Sequence, residues 1–124
     1  MVRSYFFAVS WMNFSMGAMN VSGFKVFTRE LDEVICQHPD VDLAASIGLP
    51  DPARPGAELV ATAIVLKTGI DKNEAEKEKI TNFIKEREAP YKVPKVIEFM
   101  DQLPVSAVGK VLKRELRSML KTKT

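Results

Sequence analysis

The loop at residues 106–110, Ser-Ala-Val-Gly-Lys, carries the residue types of this chain that are best suited to chemistry. Gly109 lets the backbone bend tightly or approach a ligand closely, and Lys110 follows it directly. Lysine places a compact positive charge on a long stem, which suits it to neutralise phosphate or carboxylate oxygen. Stabilising such charge is the main way in which proteins promote transfer of a phosphoryl or adenylyl group. Taken alone, the Gly-Lys pair is also typical of a surface turn with a solvated lysine, which is the simpler interpretation.

The sequence excludes several other kinds of site. His38 and Cys36 are its only histidine and cysteine, so it can form neither an internal disulfide nor a zinc site of cysteines and histidines. It contains no recognisable nucleophilic triad, no GxGxxG motif and no glycine-rich loop that ends in Gly-Lys-Ser/Thr. We expect Cys36 to be an inert core residue rather than a reactive thiol, and His38 to lie at a helix end rather than to bind a ligand.

Composition indicates one globular domain. The 124 residues are 46% hydrophobic and 27% charged, which excludes global disorder, collagen and a coiled coil. Eighteen lysines and arginines against sixteen acids give a net charge of +2, too small to indicate nucleic-acid binding. Cations do cluster after residue 109, but no stacking aromatics interleave them, so we expect them to complement a helix C-terminus rather than to bind nucleic acid.

Hydrophobic patterning predicts four strands and three helices that position this loop. The expected strands are 24–27, 41–49, 59–66 (the nearly uncharged central strand) and 96–100. Thr28 is expected to cap a first helix with apolar residues at 31, 34 and 35, and Asp71 with Glu74 to cap a charged helix over 71–88. Leu112, Leu116, Met119 and Leu120 predict one face of a terminal helix. The order βαββαβα indicates an α+β domain, a small mixed sheet with helices packed against it.

The first residues differ from the rest of the chain. Residues 4–24 carry no charge, but serines, asparagines and a glycine interrupt the apolar run. We interpret the stretch as a strand or linker of a soluble protein; a targeting or membrane segment and a poorly ordered terminus are the alternatives.

Six segments in sequence order are similar to one known family. They are SGFKV (22–26), TRELDEVICQHPDV (28–41), IGLPD (47–51), GAELVATAIVLK (56–67), YKVPK (91–95) and LPVSAVGKVLKRELR (103–117). Together they resemble the C-terminal subdomain of acyl-adenylate-forming enzymes, and among these the acyl-CoA synthetases of the long-chain fatty-acid–CoA ligase type. Separate motifs at compatible spacings make the resemblance specific. It implies that residues 20–124 form this subdomain and that residues 1–19 are an atypical apolar segment.

The resemblance implies a two-step ligase reaction in fatty acid metabolism. A carboxylic acid, which the resemblance to long-chain ligases implies is a fatty acid, reacts with Mg-ATP to give an acyl-adenylate, and coenzyme A then displaces AMP to give a thioester. The family places the ATP loops and acyl pocket in a large N-terminal adenylation domain, which the C-terminal subdomain closes over in two orientations. This chain has no such loop. We therefore expect it to be inactive alone, to hold no ATP, Mg²⁺, coenzyme A or other metal by itself, and to act in the cytoplasm with an adenylation domain on the same longer chain or on a separate subunit.

The resemblance also assigns residues. Lys110 matches the lysine that reaches the acyl carboxylate and α-phosphate during adenylation, with Gly109 supporting its loop. Ser22 and Gly23 match the loop that faces the active site in the thioester step, where a missing side chain leaves room for the pantetheine arm. Glu30 matches a recurrent acid that we interpret as structural. Lys85 and Arg87 lie where some relatives place a cation near the 3′-phosphate of coenzyme A.

The match to the family ends near residue 19. Asn13, Phe14 and Met16 stand approximately where the family carries the Asp, Arg and Lys of its hinge motif, so Asn13 is an atypical hinge residue. One hypothesis is that the chain is a truncated, frame-shifted or recombinant piece of a longer ligase. Another is a genuine subunit whose apolar N-terminal stretch docks onto a partner or self-associates. A non-enzymatic interaction or dimerisation module that kept the fold is the alternative function.

Overall fold

The computed structural model describes the backbone of residues 18–21 and 24–123 and the side chains of residues 26–121. The predictions on Asn13, Ser22 and Gly23 lie outside the described residues. Within the described part of the chain, no helix is both long and apolar enough to cross a membrane.

Two small sheets form the β structure. Strands β1 (Ala18–Val21) and β2 (Phe24–Phe27) pair antiparallel. Strands β3 (Val41–Pro50), β4 (Glu58–Leu66) and β5 (Val96–Phe99) form a second sheet in that spatial order, with β3 antiparallel and β5 parallel to β4. This arrangement confirms a mixed sheet with the uncharged strand at its centre. β1 adds one strand to the predicted order, so the uncharged N-terminal stretch is extended where the structure describes it.

Helices cover both faces of the three-stranded sheet. Helices α1 (Thr28–Ile35) and α2 (Glu74–Lys85) pack on one face, where Leu31, Ile35, Ile80 and Ile84 meet Ile64 of β4. Helix α3 (Lys113–Lys123) packs on the other face. The first core lies between the sheet and helices α1 and α2, and the second core lies between the sheet and α3. Because side chains alternate across a strand, neighbouring β4 residues belong to different cores, which explains why β4 reads as one apolar run. The α+β prediction is confirmed, and Cys36 is buried in the first core as expected.

Both predicted helix caps are wrong. Thr28 is the first residue of α1, whose N-cap position is Phe27 and has no side-chain cap. The Thr28 hydroxyl instead accepts a hydrogen bond from Lys113. Helix α2 begins at Glu74 because the Asn73 side chain accepts the Glu76 amide at 2.8 Å, so Asp71 lies before the cap and the predicted helix over 71–88 was too long at both ends.

The apolar stripe of α3 is narrower than its periodicity predicts. Leu116 and Leu120 are fully buried, but the Met119 side chain is 41% exposed. Leu112 precedes the helix and belongs to the loop. Only the i and i+4 positions face the sheet, so the prediction for Met119 is wrong.

Candidate functional site

The predicted reactive loop is a closed hairpin. Val105 and Val111 form an antiparallel bridge at its stem, and the Leu112 amide donates to the Pro104 carbonyl at 2.9 Å. Nearer the tip, the Ser106 amide donates to the Lys110 carbonyl at 2.8 Å. Val111 and Leu103 belong to the second core, so the stem is packed onto the domain rather than extended into solvent.

Gly109 makes the turn possible. Its φ of +85° lies in the left-handed region, where a side chain would be strained, and its amide donates to the Ser106 carbonyl at 2.9 Å. The backbone amide of Lys110 donates to the Ser106 hydroxyl at 3.3 Å. Gly109 therefore fixes the backbone turn that directly precedes Lys110.

The Lys110 side chain is half-buried. Among the described residues, its ammonium has no hydrogen bond or ion pair, and the tip beside it carries Val108, whose side chain is 79% exposed. A groove of about 470 Å³ runs from Lys110 along the first turns of α3. It is lined by Lys110, Val111, Leu112, Lys113, Arg114, Glu115 and Arg117. The Lys113 ammonium is held by Thr28 and Ser46, but Lys110, Arg114 and Arg117 still present three cations against one acid, so the groove is suited to an anionic ligand.

A partly buried polar cluster lies under the base of the hairpin. The Lys113 ammonium donates to the Thr28 hydroxyl at 3.1 Å and to the Ser46 carbonyl at 3.2 Å. The Ser46 and Thr62 hydroxyls are hydrogen-bonded at 2.8 Å. Asp32 completes the cluster; it is 1% exposed, and its Oδ1 atom has no hydrogen-bond partner.

Burial dominates the electrostatics of this cluster. It raises the pKa of Asp32 to about 7, although the Lys113 charge and hydrogen bonds from the side chain and backbone of Ser46 act in the opposite direction. Burial also lowers the pKa of Lys113, against the attraction of Asp32. Each charge offsets part of the burial cost of the other, but burial prevails and favours the neutral form of both groups.

The two cations proposed for coenzyme A lie at the C-terminal end of α2 and just beyond it. Arg87 stacks on the Phe83 ring with its guanidinium carbon 3.6 Å from the ring centroid, and it also donates to the Phe83 carbonyl. Lys85 is exposed and borders a groove of about 520 Å³. The other residues that line that groove are Thr81, Glu88, Pro90, Val93, Pro94 and Lys95.

One group in the described part of the chain has the residue types of a metal site. Ligand atoms of His38, Asp40 and Glu76 lie within 4.8 Å of one another. The Lys79 ammonium already lies 3.0 Å from Asp40 Oδ2 and 4.0 Å from Glu76 Oε1. Hydrogen bonds from Glu76 and Lys79 lower the pKa of Asp40, and burial beside Asp40 raises that of Glu76. Because Lys79 supplies the compensating charge, the group needs no metal.

The other residues that the sequence analysis singled out lie away from the hairpin. His38 is buried just after α1, where its Nδ1 accepts the Asp40 amide at 3.1 Å, as expected of a residue at a helix end. Glu30 lies in the first turn of α1, as expected of a structural acid. Sequence reasoning missed the cluster of Thr28, Asp32, Ser46 and Lys113. A signal existed, because Asp32 occupies the same stripe of α1 as Leu31 and Ile35.

Comparisons with known proteins identify the family to which this fold belongs. The family model for the AMP-binding enzyme C-terminal domain matches residues 30–110. A long-chain-fatty-acid–CoA ligase of Escherichia coli is 42% identical over 97 residues, which are 78% of this chain and 16% of that ligase. The enzyme of the same name from Bacillus subtilis is 39% identical over 94 residues, 76% of this chain and 16% of its own. The crystal structure of an anthranilate CoA ligase bound to anthranoyl-AMP superimposes with a TM-score of 0.79 and 36% identity, over 88% of this chain and 21% of that one.

Proposed function

The chain belongs to the AMP-binding enzyme C-terminal domain family, and on that premise we propose that residues 20–124 serve as the C-terminal subdomain of an acyl-CoA ligase. In this proposal a carboxylic acid and ATP form an acyl-adenylate and pyrophosphate, and the thiol of coenzyme A then attacks the acyl carbon and expels AMP. Similarity to two long-chain-fatty-acid–CoA ligases favours a fatty acid as the substrate. The chain spans 16% of the length of those relatives, so the acyl pocket and ATP loops belong to a partner domain.

The observation that carries the proposal is the position in which the hairpin holds the Lys110 side chain. Its ammonium has no partner among the described residues, and a hairpin closed at Gly109 holds it beside a groove rich in cations. A cation held in this way can meet the acid carboxylate and the α-phosphate as charge accumulates on them during adenylation. The exposed Val105 and Val108 on the same hairpin provide an apolar surface for contact with the partner domain.

The nucleotide and coenzyme fit different parts of the domain. The groove beside Lys110 suits the anionic adenylate, and Lys85 at the end of α2 suits a phosphate of coenzyme A. Mg²⁺, which offsets phosphate charge in such reactions, is assigned to the partner domain, because Lys79 already pairs with both acids of the His38, Asp40 and Glu76 group in this chain. Ser22 and Gly23 are assigned to the thioester step and Asn13 to the hinge, both on sequence similarity alone.

The test joins the whole chain to the adenylation domain of the Escherichia coli ligase and measures each half-reaction. With a long-chain fatty acid, Lys110→Ala should slow adenylation by about a hundredfold or more, as expected for loss of a group that stabilises transition-state charge. It should leave thioester formation from supplied acyl-adenylate nearly unchanged. Gly23→Leu should show the reverse pattern. Lys67→Ala, at an exposed lysine beyond the end of β4, is the matched control and should change neither rate.

Two outcomes contradict the proposal. Equal loss of both half-reactions in Lys110→Ala would remove the role given to that residue. If the unaltered chain supports neither half-reaction and forms a stable oligomer instead, the interaction module becomes the better description. Measuring the mass of the chain in solution by light scattering distinguishes this second outcome.

A further inference from the structure

We propose that Lys113 is a positioning residue for Lys110, because it fastens the base of the hairpin to α1 and β3 through a network that includes Asp32. The inference rests on the proposed function of Lys110, although the physical attachment can be tested without any activity. Lys113 itself does not touch the acyl-adenylate in this scheme; it acts through the backbone that carries Lys110.

Lys113 follows the hairpin stem directly. Leu112, the residue before it, closes the stem by donating to the Pro104 carbonyl. Two hydrogen bonds then hold the Lys113 ammonium, one to the Thr28 hydroxyl in α1 and one to the Ser46 carbonyl in β3. Two residues separate Lys110 from Lys113. A shift of Lys113 should therefore move the backbone of Lys110 by a similar distance.

Ser46 connects the two charged residues of the network. Hydrogen bonding from the side chain and backbone of Ser46 acts to lower the pKa of Asp32, and the Ser46 carbonyl accepts from Lys113 at 3.2 Å. β3 is the end strand of its sheet, and the amide and carbonyl of one residue in an antiparallel strand point to the same side. Asp32 and Lys113 therefore satisfy both polar groups of Ser46 at a sheet edge that is buried by helices.

A second contact fixes the direction of α3. Arg117, one turn after Lys113, donates through Nε to the Gly48 carbonyl at 3.2 Å. Four residues of helix advance about 6 Å and two residues of strand about 6.6 Å, so the two side chains match alternate carbonyls of β3. Two anchors along one line prevent α3 from sliding or swinging on the sheet, and the hairpin before it is held in the same frame.

This arrangement is a poor choice if its only purpose is stability. A cation at the first residue of a helix faces the positive end of the helix dipole, and burial of its charge adds a further cost. Apolar residues of similar volume often stabilise a protein as well as or better than a buried charged pair. Fixed donors and acceptors, in contrast, allow one geometry only. A residue that lowers stability in this way is expected where function constrains the position of a neighbouring group.

The first experiment uses the chain itself and measures amide hydrogen exchange. Lys113→Met keeps the length of the side chain but removes the hydrogen-bond donor. Thr28→Val removes one acceptor with almost no change of side-chain shape. Both should speed exchange of the Ser106 and Leu112 amides tenfold or more relative to amides of β4. Lys113→Arg should restore most of the protection, and Lys67→Met, at an exposed lysine beyond the end of β4, should change nothing.

The second experiment uses the chain joined to the adenylation domain. Both variants should lower kcat for adenylation about tenfold, leave the KM for coenzyme A and the rate of the thioester step unchanged, and be rescued in part by Lys113→Arg. Unchanged hairpin exchange, or an equal fall of both half-reactions in Thr28→Val, would overturn the inference. If the unaltered chain supports no adenylation, the proposed function fails, and the exchange data alone decide whether Lys113 holds the hairpin.

Discussion

The ammonium of Lys113 donates a hydrogen bond to the carbonyl oxygen of Ser46 at 3.2 Å, and this contact joins the last helix to the edge strand of the sheet. It links residues that are 67 positions apart in the sequence. The same contact closes a buried sheet edge and sets the base of the hairpin that presents Lys110. One polar cluster therefore connects α3 to the edge strand and, in our proposal, also positions Lys110.

We expect the Asp32 carboxyl to make stability fall as pH rises. Its pKa in the folded chain is raised from 3.8 to about 7, so the folded state holds a proton that the unfolded state has lost. The stabilising contribution is complete below pH 3.8 and disappears as pH rises through about 7. Between pH 4 and pH 8, urea unfolding should show a decrease on the order of 2–4 kcal/mol from this residue.

Comparison with a variant isolates this effect from other titrations. Burial lowers the pKa of His38, which favours folding as pH rises and so opposes the trend of Asp32. Asp32→Asn should remove the Asp32 contribution and leave that of His38, whereas Asp71→Asn, at an exposed position, should keep the pH profile of the original chain. Identical profiles for Asp32→Asn and the original chain would show that Asp32 stays ionised throughout.

Gly109→Ala should damage placement of Lys110 more than it damages the fold. A side chain at a φ of +85° costs about 1 kcal/mol, so we expect a drop of a few degrees in Tm. Because Gly109 directly precedes Lys110, the strained turn should also slow adenylation several-fold in the joined enzyme. The matched control is Gly69→Ala, where φ is +91° and no atom lies within 4 Å of the added Cβ. It should lose similar stability with no change in adenylation; equal slowing by both variants would contradict the argument.

Helix α3 should tolerate change at Met119 but not at Leu116. Leu116 is fully buried in the second core, so Leu116→Ala should destabilise the chain by about 2–5 kcal/mol through lost contact and a residual cavity. Met119 is 41% exposed, and Met119→Ala should stay within about 0.5 kcal/mol. Thermal or urea unfolding of the two variants measures the difference. A large cost at Met119 would show that the apolar stripe of α3 is as wide as its sequence periodicity predicts.

Local signals predicted most of the fold from the sequence. The boundaries of β2 agree with the expected 24–27. β4 begins only one residue before the expected 59, because the ends of its uncharged run are clear in the sequence. Gly109 marked the tight turn before Lys110 because few other residues adopt a positive φ. Capping was less predictable. Asp71 and Asn73 are both good N-cap types two positions apart, and the backbone angles that chose Asn73 depend on where α2 packs.

The polar cluster could not be predicted because it depends on contacts across the whole chain. Thr28 and Lys113 are 85 positions apart, and Lys113 belongs to a run of cations that is typical of a solvated helix face. Its partial burial follows from the packing of α3 against β3, which periodicity alone does not specify. Asp32 gave a local signal, an acid on the buried stripe of α1, but a search for its partner needed the tertiary structure.

Lys85 and Arg87 should differ in their effects on coenzyme A. The Arg87 guanidinium is held by the Phe83 ring and carbonyl, and an adjacent Glu86 oxygen lies 3.3 Å away. Lys85, in contrast, is exposed at the edge of a groove, and its ammonium has no hydrogen bond or ion pair among the residues that the structure describes. A solvated lysine can reach a phosphate without giving up other contacts. We therefore expect Lys85 to be the principal cation for the 3′-phosphate.

The measurement compares coenzyme A with dephospho-coenzyme A in the joined enzyme. Lys85→Ala should raise the KM for coenzyme A about fivefold, in keeping with loss of about 1 kcal/mol from one exposed charged contact. It should leave the KM for dephospho-coenzyme A unchanged, because that substrate lacks the 3′-phosphate. Arg87→Ala should lower Tm through loss of the stack on Phe83, with a smaller change in KM. An equal rise of KM for both forms of the coenzyme in Lys85→Ala would mean that this lysine does not contact the 3′-phosphate.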